Sequence, residues 1–143
     1  MLPTSKSRYA VLALSDMATH SSGAIISLPE IAGRHGISIH YLEQLFVKLR
    51  KGGIVVSVRG YGGGYKLGRE PQEISIWDVL EAVGEKGCSP ANVEKQNQTH
   101  KLNSSLESSN SEFWEVYLIK IQEALSQLSI TDTLPAEVNL INS

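Results

Sequence analysis

Residues 38–51 read Ser-Ile-His-Tyr-Leu-Glu-Gln-Leu-Phe-Val-Lys-Leu-Arg-Lys, and the pair Gly52 and Gly53 follows them. This stretch predicts an α-helix, because the Ser38 hydroxyl can accept hydrogen bonds from the backbone N–H groups of a first turn. The glycine pair is a typical helix end. Apolar residues recur at helical spacing and form one stripe, which comprises Ile39, Leu42, Leu45, Phe46 and Leu49.

The residues outside this stripe suggest what the helix does. Its last turn carries the cations Lys48, Arg50 and Lys51, which complement the helix dipole. The outward side chains are predicted to be Ser38, His40, Tyr41, Glu43, Gln44 and Lys48. Short polar groups at a helix N-terminus, with cations behind them, suit a helix that enters the DNA major groove end-on. An ordinary surface helix with a solvated polar face remains the alternative.

The composition of the 143-residue chain predicts one compact domain or one domain with an appendage. Hydrophobic residues make up 41% of the sequence, which is enough for a core. No apolar run reaches about 18 residues, so no membrane-spanning helix is expected. The N-terminal residues show no signal-peptide pattern, and one cysteine cannot form an intrachain disulfide. We therefore expect a cytoplasmic protein.

Charge is distributed unevenly along the chain. Residues 1–70 hold nine Lys/Arg and four Asp/Glu, a net charge of +5. Residues 71–143 hold four Lys/Arg and eleven Asp/Glu, a net charge of −7. A basic front half beside an acidic back half indicates that only the front half meets a polyanion.

Two further helices are predicted before the opening stretch. The first runs over residues 4–20, with Lys6 and Arg8 in its first turn. Its buried face is predicted to comprise Tyr9, Leu12, Ala13, Met17 and Ala18. The second begins at a capping box with proline in the first turn, at residues 27–30, and ends at Gly36. Two helices joined by a tight turn that contains glycine are the helix-turn-helix pattern.

A β-hairpin is predicted directly after these helices. Residues 54–58 are mostly β-branched and predict a strand, residues 59–64 predict a glycine-rich turn, and residues 65–67 predict the return strand. A hairpin in this position forms a wing, and Arg59 at the start of its tip could enter a minor groove. The glycine run lacks the Gly-Lys-Ser/Thr ending of a nucleotide-binding P-loop.

The C-terminal half divides into three parts. Ser75 and Asp78 predict the start of a helix that ends near Gly84. Residues 85–109 are polar and predict a flexible, sensor-type loop. A capping box at residues 109–112 predicts a long helix to about residue 128, and we expect the tail over residues 129–143 to dock on a partner subunit. The wide apolar face of this helix predicts dimerisation through Phe113, Trp114, Tyr117, Leu118, Ile121, Leu125 and Leu128.

Residues 4–83 closely resemble the DNA-binding domain of the Rrf2 family of bacterial transcriptional regulators, and within that family the iron–sulfur cluster regulators. The motifs that carry the resemblance are Thr4-Ser5-Lys6, Arg8-Tyr9-Ala10-Val11, Gly36-Ile37-Ser38, Tyr41-Leu42-Glu43-Gln44-Leu45-Phe46, Leu49-Arg50-Lys51, Val58-Arg59-Gly60, Gly62-Gly63-Gly64-Tyr65 and Leu67-Gly68. The resemblance implies a mainly α, winged helix-turn-helix fold, a long C-terminal dimerisation helix, and a homodimer on a palindromic operator.

The resemblance also implies roles for individual residues. Ser38, residue 40 and Gln44 would reach base edges, and Arg59 would lie in the minor groove. Residue 40 is His here, where close relatives commonly have Ser. The full set of predicted DNA-binding residues is Lys6, Arg8, Ser38, His40, Tyr41, Gln44, Lys48, Arg50, Lys51, Arg59, Tyr61, Gly62, Gly63, Gly64 and Tyr65.

The sensor loop departs from the pattern of the cluster-binding relatives. Those relatives carry three cysteines there and a histidine three residues after the last, with a Trp just beyond, and these ligands hold a [2Fe–2S] cluster. This chain keeps only Cys88, and when Trp114 is aligned with that Trp, the last Cys-x-x-His is replaced by residues 108–111, Ser-Ser-Asn-Ser. Cys88 and His100 remain as candidate metal ligands.

We therefore predict a dimeric, sequence-specific DNA-binding regulator, such as a repressor, with domains at residues 1–84, 85–109 and 110–143. A response to redox state or to an iron–sulfur cluster stays open. The alternative is a protein-interaction module that uses the C-terminal apolar helix, with DNA binding vestigial. An enzyme is not expected, because the sequence offers no paired carboxylates, nucleophile–base arrangement or complete metal-ligand set.

Overall fold

The computed structural model describes residues 4–20, 23–84 and 105–136. Over these ranges the elements, in chain order, are the helices α1 (Ser5–Ala18), α2 (Leu28–His35) and α3 (Ile39–Lys51), the strands β1 (Val55–Val58) and β2 (Gly64–Leu67), and the helices α4 (Ile76–Val83) and α5 (Ser105–Gln127). Short 3-10 turns lie at Pro71–Glu73 and Ile130–Thr133.

The predicted helix starts and ends of the N-terminal half are confirmed, and side-chain capping explains them. Ser27 begins α2 through a reciprocal capping box with Glu30. Gly36 ends α2 in the left-handed region, with φ of 64°, which glycine adopts without steric cost. Ser38 then caps α3 by accepting from the backbone N–H of Tyr41 at 3.4 Å. The α2–turn–α3 unit is thus a helix-turn-helix.

The buried face of α1 differs from the predicted one. Tyr9 and Leu12, which were predicted to be buried, are 40% and 39% exposed, and Ala10 and Leu14 are fully buried instead. The buried residues Ala10, Ala13, Leu14 and Met17 lie at helical spacing and include two alanines, whose small side chains let α1 approach its neighbours closely. Tyr9 instead lies at the edge of the contact between α1 and α3, where its ring packs edge-on against the ring of Tyr41.

The third helix matches its predicted stripe with one exception. Leu42, Leu45, Phe46 and Leu49 are buried in the core, whereas Ile39 is 45% exposed because it lies in the first turn, beyond the core. In α4 the buried set includes Trp77, and Ile76 is only partly buried. The core therefore lies between α1, α3, α4 and the sheet.

The two strands form the predicted antiparallel hairpin, in which Val55 pairs with Leu67 and Val58 with Gly64. Residue Ile26, just before α2, adds a short third segment, because its backbone exchanges two hydrogen bonds of 2.8 Å with Tyr65. At Gly64 a Cβ would lie 2.5 Å from the carbonyl oxygen of Ile26. A larger residue at position 64 would therefore separate the wing from the helix-turn-helix.

The long helix begins earlier than predicted. It starts at Ser105 rather than near residue 110, so the segment predicted as a loop over residues 85–109 is helical from residue 105 onward. The capping box predicted at residues 109–112 is wrong, since these residues lie inside α5. There the Asn110 amide donates to the carbonyl of Leu106 at 3.0 Å, a contact within the helix rather than a cap.

The segment after α5 packs in part on its own chain, and its predicted docking on a partner subunit stays a prediction. Ile130 is fully buried and Leu134 is 7% exposed, both in the core of their own chain. The backbone amide of Ile76 donates to Leu128 at 2.8 Å, and that of Ile130 donates to Ile74 at 3.0 Å. Residues 137–143 of the predicted tail lie outside the described residues.

Candidate nucleic-acid interface

The N-terminal half of α3 presents its polar side chains to solvent. Leu42 and Leu45 anchor this part of the helix in the core, so the residues between them face away from it. Ser38, His40, Glu43 and Gln44 are all exposed, with the His40 side chain 81% exposed. The predicted outward face is present, and three of the residues predicted to reach base edges lie within two turns of one another.

His40 and Gln44 contact each other across one helical turn. Nε2 of Gln44 lies 3.1 Å from Nε2 of His40. On the other side of the imidazole, Nδ1 of His40 lies 3.8 Å from Oε2 of Glu43. This linked set of side chains was not predicted, although the i, i+4 and i, i+3 spacings that permit it are visible in the sequence.

Two predicted contact residues, Tyr41 and Tyr65, are held by the core. Tyr41 is partly buried and its ring meets Tyr9 edge-on at a centroid distance of 5.8 Å. Tyr65 is partly buried in β2, with its ring 4.9 Å from that of Phe46. Their packing fixes the orientation of α3 and of the wing relative to the core, and it leaves less of each side chain available to DNA.

The wing exposes its tip and buries its base. Arg59 and Gly62 are exposed, and Tyr61 is fully exposed. Gly62 has φ of 76°, a conformation that other residues rarely adopt. Gly63 and Gly64 are half-buried, and a side chain on either would collide with backbone atoms, so these two glycines serve the fold of the hairpin.

Most of the cations predicted to contact DNA have no carboxylate partner among the residues that the structure describes. The salt bridges among the described residues join Asp16 to Arg34 and His35, Glu43 to His40, and Asp78 to Arg69. None involves the exposed cations Arg8, Lys48, Arg50, Lys51 and Arg59. Lys6 differs, since its ammonium donates to the carbonyl of Gly84 at 3.4 Å. Unpaired surface cations are those that a phosphate backbone can neutralise.

The long helix α5 leaves much of its apolar surface uncovered. It contacts α4, and Tyr117, Leu118, Ile121 and Leu125 are half-buried, but no residue of α5 is fully buried. Phe113, Trp114 and Leu128 from the predicted set are 58%, 53% and 47% exposed. Val116 and Ile119, at 50% and 54%, were not in that set, although Val116 lies three residues after Phe113 and Ile119 three residues after Val116.

The candidate metal ligands Cys88 and His100 lie outside the described residues. With Trp114 aligned to the family's Trp, the positions of the last cysteine and histidine are Ser108 and Ser111, and both lie on the helix α5. Their hydroxyl groups are hard ligands, whereas an iron–sulfur cluster requires thiolates. Within the described ranges, no group of three His, Cys, Asp or Glu side chains could hold a metal ion.

The sequence model of the Rrf2 family, described as an iron-dependent transcriptional regulator, matches residues 3–136. The chain belongs to the Rrf2 family. This confirms the predicted family, and the winged helix-turn-helix with a long C-terminal helix confirms the predicted fold. As an Rrf2 protein the chain is a DNA-binding transcriptional regulator rather than an enzyme.

Known sequences agree with this assignment. A protein of Haemophilus influenzae named as an HTH-type transcriptional regulator is 40% identical over 129 residues, which are 90% of this chain and 83% of that protein. The HTH-type transcriptional regulator IscR of Aliivibrio salmonicida is 56% identical over 82 residues, which are 57% of this chain and 49% of IscR. The chain therefore matches about half the length of IscR.

Solved structures of Rrf2 regulators have the same fold. The chain superposes on T. potens IscR with a TM-score of 0.68 and 35% identity, over 93% of this chain and 85% of IscR. It superposes on CymR, the global cysteine regulator of B. subtilis, with a TM-score of 0.70 and 30% identity, over 93% of this chain and 95% of CymR. Among the described residues, none of the helices is both long and apolar enough to cross a bilayer.

Proposed function

We propose that this Rrf2 regulator binds a palindromic operator as a homodimer and reads it with the N-terminal half of α3. The observation that carries the proposal is the exposed set Ser38, His40 and Gln44, which projects from a helix anchored by buried leucines. The unpaired cations Lys48, Arg50 and Lys51 on the same helix would neutralise phosphates and fix its register. Arg59 on the wing would enter the adjacent minor groove.

The homodimer is supported by the apolar surface of α5. Five large apolar side chains between residues 113 and 128 are about half exposed or more, and so many exposed apolar side chains on one helix favour an interaction site. A second copy would bring an identical α5 against this surface in a two-fold arrangement. Such a dimer places two reading helices on one face of DNA, which corresponds to two half-sites in a palindrome.

The residues do not fit the [2Fe–2S] centre of the cluster-binding relatives. The chain has one cysteine, and with Trp114 aligned to the family's Trp, serines stand at the positions of the last cysteine and histidine. One thiolate and one imidazole do not supply the charge and softness of the usual ligand set. We therefore propose that regulation proceeds without that cluster, through a thiol, a protein partner or another ligand. A purely protein-binding role for α5 is the second candidate, favoured by the same exposed apolar surface.

The test is selection of bound sequences from random double-stranded DNA, followed by titration of the selected duplex. We expect an inverted repeat, two protomers per duplex, and affinity that falls steeply as salt rises. A scrambled duplex of the same length serves as the control. Equal affinity for both duplexes at every salt concentration would contradict operator recognition and would favour the protein-interaction role.

A further inference from the structure

The contact between His40 and Gln44 restricts the hydrogen-bonding state of both side chains. The amide nitrogen of Gln44 can only donate, and it lies 3.1 Å from Nε2 of His40. With the amide in this orientation, Nε2 of the imidazole accepts and the ring proton lies on Nδ1. This is a hydrogen bond between a predicted base-reading residue and the residue one helical turn before it.

Glu43 supports the same tautomer from the other side of the ring. Its carboxylate oxygen lies 3.8 Å from Nδ1 of His40, so its negative charge favours a proton on that nitrogen. A histidine tautomer is commonly set by the acceptor near the other ring nitrogen. Glu43, His40 and Gln44 thus form a series of contacts, in which Glu43 favours one tautomer of His40 and that tautomer favours one orientation of the Gln44 amide.

The hydrogen bond to His40 determines which donor and acceptor of Gln44 remain available to DNA. One amide hydrogen is used by His40, and the second hydrogen and Oε1 remain available. One donor beside one acceptor matches the N7 and N6 groups of adenine, whereas guanine presents two acceptors at N7 and O6. If the amide were reversed, it would place a donor against the N6 donor of adenine. The interaction with His40 disfavours that reversal, because Oε1 would then face the lone pair of Nε2 in the tautomer that the charge of Glu43 favours.

We infer that His40 is a positioning residue, which holds the Gln44 amide in the orientation that reads adenine. The inference rests on the proposed function, since it requires Gln44 to reach a base edge. Both side chains are exposed and would otherwise sample several rotamers. Ordering them before DNA arrives lowers the cost of binding the correct base, which is the general advantage of preorganisation.

Three substitutions at position 40 separate this role from direct base reading. His40→Ala removes the acceptor, and His40→Asn retains an acceptor oxygen that can reach Gln44 from the previous turn. His40→Lys supplies donors only, and its charge should raise affinity for all DNA while favouring the reversed amide. Discrimination between A·T and G·C is measured by fluorescence anisotropy at each base pair of the selected operator, in the wild type, in these variants and in Gln44→Ala.

The base pair whose discrimination falls in Gln44→Ala identifies the position that Gln44 reads. At that same position we expect His40→Ala and His40→Lys to lose about two- to tenfold of the discrimination, the range of a single hydrogen bond. His40→Asn should retain most of it, and His40→Ala combined with Gln44→Ala should lose no more than Gln44→Ala alone.

Discrimination that changes at a different base pair would show that His40 reads its own base, and unchanged discrimination would show that the contact has no effect. Either result overturns the inference while the proposed function stands. If the wild type shows no sequence preference, or if Gln44→Ala changes discrimination at no base pair, then the proposed reading by α3 fails as well.

Discussion

The backbone amide of Ile130 donates to the carbonyl oxygen of Ile74 at 3.0 Å, and this bond ties the end of the long helix to the DNA-binding domain. A second backbone bond joins Ile76 to Leu128, so the two segments pair on both sides of Ser75. The Ile130 side chain is fully buried, and the 3-10 turn that it begins packs on α1. Movement of α5 at its C-terminal end would thus be transmitted to α1, and to the helices packed on it.

Ile130→Ala is the first prediction. Truncation of a fully buried isoleucine leaves a cavity and should lower the free energy of unfolding by about 2–5 kcal/mol. Gln127→Ala, an exposed position in the last turn of α5, is the matched control and should change it little. Urea denaturation followed by circular dichroism, at matched protein concentration, measures both. Equal midpoints for the two variants would show that residues 130–134 do not belong to the cooperative core.

The second prediction concerns Asp16, which joins α1 to α2. Its side chain is 7% exposed and accepts from Arg34 at 3.0 and 2.6 Å and from His35 at 3.1 Å. Burial alone would raise the pKa of Asp16, but the hydrogen bonds from Arg34 and His35 outweigh it, and the pKa lies below its ordinary value of 3.8. Asp16→Asn should cost about 1–3 kcal/mol at neutral pH, since it leaves these donors poorly paired.

The pH dependence follows from the direction of that shift. A carboxylate whose pKa is lower in the folded than in the unfolded state contributes stability at all pH values above its pKa in the unfolded state. This contribution is lost as the pH falls through the folded pKa, that is, below about 3.8. The difference in urea midpoint between wild type and Asp16→Asn should therefore be constant from pH 7 to 5 and shrink towards pH 3. A difference that grows on acidification would contradict the ion-pair explanation.

How far the sequence predicts the fold can be judged from particular residues. Ser27, Ser38 and Ser75 predict helix starts correctly, because a side-chain cap is a local interaction. The capping-box pattern at residues 109–112 predicts a helix start wrongly, because the same pattern can also occur inside a helix. Tyr9 is misplaced, because the choice between neighbouring faces of α1 depends on which surface packs most closely, and this is a tertiary effect.

In the candidate site, too, some features could be predicted from the sequence and others could not. The exposed positions of α3 follow from its apolar period, so Ser38, His40 and Gln44 could be predicted. The roles of Gly63 and Gly64 could not, since they depend on how closely β2 approaches the turn and Ile26. The link from Glu43 through His40 to Gln44 depends on rotamers, which no sequence pattern specifies.

The third prediction concerns the dimer. Leu118 and Ile121 are half-buried within their own protomer, whereas Val116 and Ile119 are about half exposed and are the cleaner test positions. Lysine at both exposed positions should produce monomers, because each unpaired charge at a buried interface costs several kcal/mol. Operator affinity should fall with the dimer. Ser126→Lys, at an exposed polar position of the same helix, is the control. Sedimentation that still shows a dimer of the Val116/Ile119 variant would exclude this face.

The fourth prediction concerns Cys88, the sole cysteine of the chain. If no cluster forms, protein purified without oxygen should lack the visible absorption of an iron–sulfur centre. If Cys88 is also only a loop thiol, Cys88→Ala should leave operator affinity unchanged in both oxidising and reducing buffers. An affinity change of tenfold or more, about 1.4 kcal/mol, would instead identify Cys88 as a redox or ligand switch. Wild-type protein in each buffer is the matched control.

The last prediction separates the two modes of DNA reading. Gln44 is exposed on α3, and if it reads a base edge, removal of its amide should cost about 1–3 kcal/mol on the operator and little on scrambled DNA. Arg59 lies at the exposed wing, where its charge should act on phosphates and on a narrow minor groove. Arg59→Ala should therefore weaken binding to both duplexes, reduce the salt slope by about 1, and matter most for sites with A/T-rich flanks.

Both variants should keep the wild-type urea midpoint, because neither side chain belongs to the core. Arg69→Ala is the matched control for loss of a positive charge, since Arg69 pairs with Asp78 and follows β2 in the sequence. It should leave the salt slope nearly unchanged. Fluorescence anisotropy on operator and scrambled duplexes at several salt concentrations measures all three variants. If Gln44→Ala lowers both affinities equally, α3 is not the reading helix, because loss of a base contact must act on the correct sequence alone.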